Sequence, residues 1–365
     1  MNAAQRIVLG TRKGLVELQR SDSGWSLERL SFSGDPVSIT LHDSRDGTDY
    51  AALNLGHFGV KLHRREAGAA DWTEIAVPTY PEQPAEAKDG PAWKLVLIWS
   101  LAAGGADEPG VLWAGTLPGG LFRSADRGDS WQLVRSLWDM PQRAEWFGGG
   151  YDVPGIHSIC VHPSDPRALL VGVSCGGAWA SQDGGQSWQM SAAGMRATYM
   201  PPERELDQSI QDPHLIVRCQ ARPEVLWSQH HSGIWRSTDS GASWQKVEAA
   251  GLPSDFGFTV AVHPQDPDTA WFVPAVADQN RVPVGQALCV TRTRDGGKSF
   301  ETLRQGLPQS NCFDLVYRHG LAVSADGQQL AMASTTGGVW TSADGGEHWQ
   351  QLFMRLPPVY SVRFA

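Results

Sequence analysis

Six cationic or imidazole side chains recur at matching places of an internal repeat, and they are the residues best suited to chemistry in this chain. His157, His214 and Arg318 match one another, each near the start of the first strand expected for its unit. Arg12, His57 and His231 share a second position, on loops expected between second and third strands, and His230 adjoins the last of them. Two kinds of chemistry suit such a set. His157, His214 and His231 with a carboxylate such as Asp212 could hold one divalent metal ion, because neutral imidazole suits Zn²⁺ and similar ions. Alternatively, one His serves as general base while arginines hold an anionic substrate. On either reading the catalytic candidates are His157, His214, His231 and Arg318, and the substrate-binding candidates are Arg12, His57, Arg143, Tyr151 and His230. The bland alternative is that each imidazole only satisfies nearby backbone groups. His162, His263 and His348 fall in turns or in the repeated motif and are read as structural.

The elements that must position these groups are set by the repeat. Ser/Thr-x-Asp-x-Gly-x-x-aromatic occurs from Ser124 to Trp131, Ser181 to Trp188, Ser237 to Trp244, Thr293 to Phe300 and Ser342 to Trp349. Two worn copies end at Trp25 and Trp72. The motif has a physical logic: the Asp accepts backbone N–H bonds across a tight turn, the Gly takes the positive φ, and the aromatic anchors the hairpin. Six of the 16 Trp close a motif, and Trp179, Trp235 and Trp340 lie nine residues before a closing aromatic. Most of the tryptophans therefore read as packing rather than as a carbohydrate platform.

Over essentially its full length the chain resembles the Asp-box, or BNR, repeat superfamily. Bacterial sialidases, sortilin-type receptors and photosystem assembly factors of the chloroplast-Ycf type share that repeat. The resemblance implies an all-β, seven-bladed β-propeller of four-stranded blades, with the motif between third and fourth strands and ligands met at the channel mouth. One propeller domain over 1–365 is expected, with blades at 1–31 plus 359–365, 36–78, 93–137, 155–193, 213–249, 257–304 and 312–356. The first unit lacks a strand and Val359–Phe364 is left over, so the C-terminal strand should complete the first blade and remove a free edge. The motif marks a fold, not an activity. Proteins with these motifs are called sialidase-like glycosyl hydrolases. The Arg-Ile-Pro signature and arginine triad of true sialidases are missing here, and seven units replace six, which argues against sialidase activity itself.

Three insertions should form a rim: 138–156 with Arg143, Glu145, Trp146, Tyr151 and a Gly148–Gly150 run; 194–213 with Arg196, Tyr199, Glu203, Arg204, Glu205 and Asp207; and 274–287 with Asp278, Asn280 and Arg281. Long loops in a compact fold are more often functional than idle. The glycine run lacks the strand-to-helix setting of a phosphate loop.

Composition narrows the partners. With 30 basic against 39 acidic residues the net charge is −9, which argues against nucleic acid and anionic membrane. No apolar run is long enough to span a bilayer. Five irregularly spaced Cys read as reduced thiols, and residues 1–6 show no leader pattern, so a cytoplasmic protein is expected. No nucleophile elbow, His-Glu-x-x-His or Cys-x-x-Cys occurs. The expectation is a hydrolase- or lyase-type enzyme for a small polar substrate of sugar, lactone or carboxylate character, with one divalent metal ion as the only cofactor considered. The rival is a non-catalytic module that binds a ligand or protein partner. The oligomeric state is left open.

Overall fold

A computed structural model describes residues 5–87, 90–248, 250–353 and 355–365. Residues 1–4, part of the segment read for a leader, lie outside the described residues. Among the described residues, 28 strands pair into seven four-stranded antiparallel sheets, the blades of a β-propeller. Blade I takes its first strand from the C-terminus, Val359–Phe364, followed by Arg6–Thr11, Gly14–Ser21 and Gly24–Ser31. Ile7 pairs with Phe364 and Leu9 with Val362, so the expected latch forms. Blades II, III and IV start with Val37–Asp43, Leu97–Ala103 and Ile156–Val161. Blades V, VI and VII start with Pro213–Arg218, Gly257–Val262 and Leu321–Val323. No helix among the described residues is long and apolar enough to cross a membrane.

The chain forms two compact units, Met1–Thr40 with His214–Ala365, and Leu41–Pro213. The divisions fall inside the first strands of blades II and V. Blades I, V, VI and VII make up the first unit and blades II, III and IV the second.

Burial explains which strand is which. The second strands Leu112–Leu117, Leu169–Val173, Leu226–His230, Ala270–Pro274 and Leu330–Ala333 are buried at every position. Strands buried at every position are covered on both faces. Fourth strands such as Gln189–Met190 and Gln245–Lys246 are short and exposed. Within the first unit, Trp271, Leu288 and Val290 of blade VI share one core with Leu330, Trp340 and Trp349 of blade VII. Within the second, Trp113 and Leu121 of blade III pack with Trp179 and Trp188 of blade IV. Truncating a tryptophan so buried costs about 3–5 kcal/mol.

The repeated motif makes the turn between third and fourth strands. Ser181 Oγ donates to Asp183 Oδ1 (2.8 Å) and accepts the Gly185 N–H (2.8 Å), while Asp183 Oδ1 accepts the Ser187 N–H (2.9 Å). Gly185 has φ +86°, which its missing Cβ permits. The same bonds recur around Asp126, Asp239, Asp295 and Asp344. His348 joins this network through Asp344 (2.7 Å), and His162 and His263 accept backbone N–H groups of their own turns. All three are structural, as expected.

Blades in one unit are also clamped by arginines. Arg292 of blade VI, only 2% exposed, bonds Glu301 (2.5 Å) and reaches into blade VII for Glu347 (2.5 Å) and the Gly345 carbonyl (2.8 Å). Arg45 of blade II donates to the carbonyls of Gly105, Glu108 and Val111 in blade III.

Candidate functional site

Bulges interrupt the first strands of four blades, one of them at the candidate His157. In blade I Tyr360 is the extra residue between Val359 and Ser361, in blade III Trp99 between Ile98 and Ser100, and in blade IV His157 between Ile156 and Ser158. In blade VI Phe258 and Thr259 are inserted between Gly257 and Val260. A bulge interrupts the ladder and redirects a side chain, a device common beside active sites. His214 is the second residue of its strand, as His157 and Phe258 are of theirs.

In the first unit these positions assemble a mixed aromatic and ionic cluster. The His214 ring stacks on Phe258 at 4.6 Å and 14°, and His231 stands edge-on to His214 at 5.6 Å. Phe256 meets both imidazoles edge-on, at 5.6 and 5.8 Å. His214 Nδ1 lies 2.6 Å from the Gly257 carbonyl oxygen. A carbonyl only accepts, so Nδ1 carries the proton and the lone pair of neutral His214 resides on Nε2.

Phe258 also has cationic neighbours. The guanidiniums of Arg281 and Arg318 lie 5.3 and 5.8 Å from its ring centroid, and Tyr317 packs edge-on at 5.1 Å. Arg318 is buried in the turn ahead of Leu321–Val323, and its carbonyl accepts the Thr259 hydroxyl at 2.8 Å. Burial opposes the charge on Arg281, but hydrogen bonds to Tyr317 and Asp278 outweigh it and hold its pKa above the ordinary value. The cluster can therefore offer guanidiniums to an anion and an imidazole base, gathered around one aromatic ring.

Asp212 directly precedes Pro213, the opening residue of the strand that carries His214.

In the second unit, His157 is fully buried with Nδ1 2.8 Å from Ser158 Oγ, and Trp99 meets it edge-on at 5.4 Å. Tyr151, 49% exposed, caps Trp99 at 5.2 Å. Asp212 Oδ1 accepts the Cys175 N–H at 3.1 Å. A Cβ on Gly149 would stand 2.5 Å from Cys175 Sγ and 2.6 Å from Ser174 Oγ. The glycine run thus serves close packing rather than phosphate binding. Burial, then the Asp212 carboxylate, pushes the Tyr199 phenol far up.

The remaining candidates lie elsewhere. Arg12 and His57 are exposed on their loops. Arg143 lies flat over Trp138, 3.6 Å from the ring centroid, and donates to the Trp138 carbonyl (2.7 Å). His230 is buried, and its Nδ1 accepts the Ser232 N–H at 2.9 Å, which shapes the turn that presents His231. Much of the expected rim pairs internally: Ser209 with Glu145, Arg204 with Asp207 (2.9 Å) and Arg196 with Glu205 (3.5 Å). Sequence reasoning passed over Phe256 and Phe258. The available signal was that Phe258 holds in its unit the place His157 and His214 hold in theirs.

Fold and site define a seven-bladed β-propeller with a composite imidazole–arginine cluster. No family model matches the chain. It is similar to xyloglucanase Xgh74A of Acetivibrio thermocellus, 24% identical over 289 residues, covering 71% of this chain and 32% of that enzyme. The chain thus spans about a third of the length of that curated relative. Among solved structures, it resembles the GH74 xyloglucanase of Xanthomonas campestris (TM-score 0.64, 16% identity, 97% of this chain and 53% of that one). It also resembles YCF48 of Cyanidioschyzon merolae (TM-score 0.57, 14% identity, 94% and 97%).

Proposed function

We propose that this chain is a hydrolase- or lyase-type enzyme acting on a small polar anion of sugar-acid, lactone or carboxylate character. The observation that carries the reading is His214, its Nδ1–H engaged by the Gly257 carbonyl and its ring stacked on Phe258, with Arg281 and Arg318 close to the same ring. His214 Nε2 is the general base, His231 its neighbouring imidazole, and Arg318 with Arg281 holds the substrate anion. An arginine beside an aromatic face supplies a planar fork for a carboxylate together with a cation–π anchor. The sequence relative named as a xyloglucanase favours a saccharide-derived substrate.

The exposed Phe58, Phe147, Tyr151 and Phe313 favour the second reading, a module that binds a protein partner or ligand without turnover. A panel of lactones, acyl and phosphate esters of sugar acids, and xyloglucan oligosaccharides decides between the two. The enzyme reading expects turnover of an anionic member that drops about 10²- to 10⁴-fold in His214→Asn. No turnover of any member by the folded protein refutes it and leaves the binding module.

A further inference from the structure

We propose that the outer strand of blade I, Gly24–Ser31, is a self-association edge that pairs antiparallel with the same strand of a second copy of this chain. The inference goes beyond the functional reading and does not depend on it.

Three observations carry it. First, the strand is long and open. It runs for eight residues, whereas the fourth strands of the other blades have two to four. It pairs with Gly14–Ser21 on one side, and among the described residues no strand lies on the other. An open row of N–H and C=O groups is a template for another chain, usually guarded by lysine or proline. Gly24–Ser31 contains neither.

Second, a bulge aligns two leucines. Leu18 pairs with Leu27, Glu17 with Arg29 and Val16 with Leu30, so Glu28 is the extra residue. Residues three apart on a regular strand face opposite ways. Leu18 and Val16 are only two apart, so the leucines opposite them share a face. Both are half exposed, Leu27 at 51% and Leu30 at 50%.

Third, the edge is complementary to itself. Glu28 and Arg29 together fill the place opposite Glu17. A two-fold axis through that place, perpendicular to the sheet, sets Leu27 of each copy beside Leu30 of the other. The same axis sets Glu28 beside Arg29 of the other copy. Apolar and opposite-charge pairs across two strands are what stabilise a sheet, and a two-fold contact requires a self-complementary patch. Eight residues a side is well below the roughly 20–30 of a stable interface, so the dimer forms only as concentration rises.

The test is sedimentation velocity of the full chain from micromolar to millimolar protein. The expected result is a monomer–dimer equilibrium, weakened about tenfold or more in Leu30→Lys and in Glu28→Arg and unchanged in Met190→Lys, on the outer strand of blade IV. Mixing Glu28→Arg with Arg29→Glu should restore association, because each chain then meets opposite charges on the other. Since a variant can fail to fold, hydrogen exchange of the wild type gives an independent reading: amides within Gly24–Ser31 should gain protection as concentration rises. A monomer at every concentration, a dimer indifferent to both folded variants, or protection gained only elsewhere would each overturn the proposal.

Discussion

His214 lies flat on Phe258, ring centroids 4.6 Å apart at 14°, and these two residues occupy the same place in successive blades. An imidazole stacked this way is held at one orientation. With Nδ1 bound to the Gly257 carbonyl, its Nε2 is the atom presented for proton transfer. His214→Asn retains a donor for that carbonyl but no base. It should melt within a few degrees of wild type while kcat/KM on the best anionic substrate falls about 10²- to 10⁴-fold. Paired thermal melts and steady-state kinetics check this, and an active variant would remove His214 from the chemistry.

The Arg292 clamp should matter more for stability than its exposed glutamate partners suggest. Arg292 is buried, and its charge is met by Glu301, Glu347 and the Gly345 carbonyl. Arg292→Met leaves both glutamates able to rehydrate, so the expected loss is about 2–4 kcal/mol, below that for breaking a fully buried pair. Urea unfolding measures it, and a loss under about 0.5 kcal/mol would show that the clamp is incidental.

Acid should weaken the motif turns in a defined window. Hydrogen bonds from the Ser187 hydroxyl to Asp183 and the Ser299 hydroxyl to Asp295 hold both carboxyls at about 2, against an ordinary 3.8. A depressed folded-state pKa means that the ionised form stabilises the fold. The contribution is complete above pH about 4 and fades as pH falls through about 2. The urea midpoint of wild type should therefore decline across that window. In Asp183→Asn/Asp295→Asn the midpoint should be lower at neutral pH and flatter in acid. Parallel profiles would contradict the assignment.

The latch strand should be indispensable. Val362 is fully buried where Val359–Phe364 pairs with Arg6–Thr11. Val362→Asp buries a carboxylate there and should cost about 3 kcal/mol or more, with Val362→Ala milder. Displacing the strand would expose Arg6–Thr11 as an open edge, a template for aggregation. Chemical denaturation and size-exclusion chromatography report both effects, and a stable monomeric Val362→Asp protein would refute the latch.

Much of the architecture was legible because the repeat repeats local physics. Ser181, Asp183 and Gly185 make their turn from neighbours at most four residues away, so the spacing alone located every third-to-fourth strand connection. The leftover Val359–Phe364 could be assigned to the first blade because a four-stranded unit with three strands admits one missing partner. The chemistry was legible only as candidates. Matching places marked His214 and His231 as relatives of His157 and Arg12, yet the tautomer of His214 depends on the Gly257 carbonyl 43 residues away. Arg281 reaches Phe258 by the folding of an insertion, and Arg143 turns onto Trp138 instead. His230 and His231 are adjacent in sequence, but one shapes the turn and the other faces the cluster. Local hydrogen bonding determined the blades. Which side chains share a site was decided by long-range packing, because contacts between residues far apart in the chain leave no signature in its local spacing.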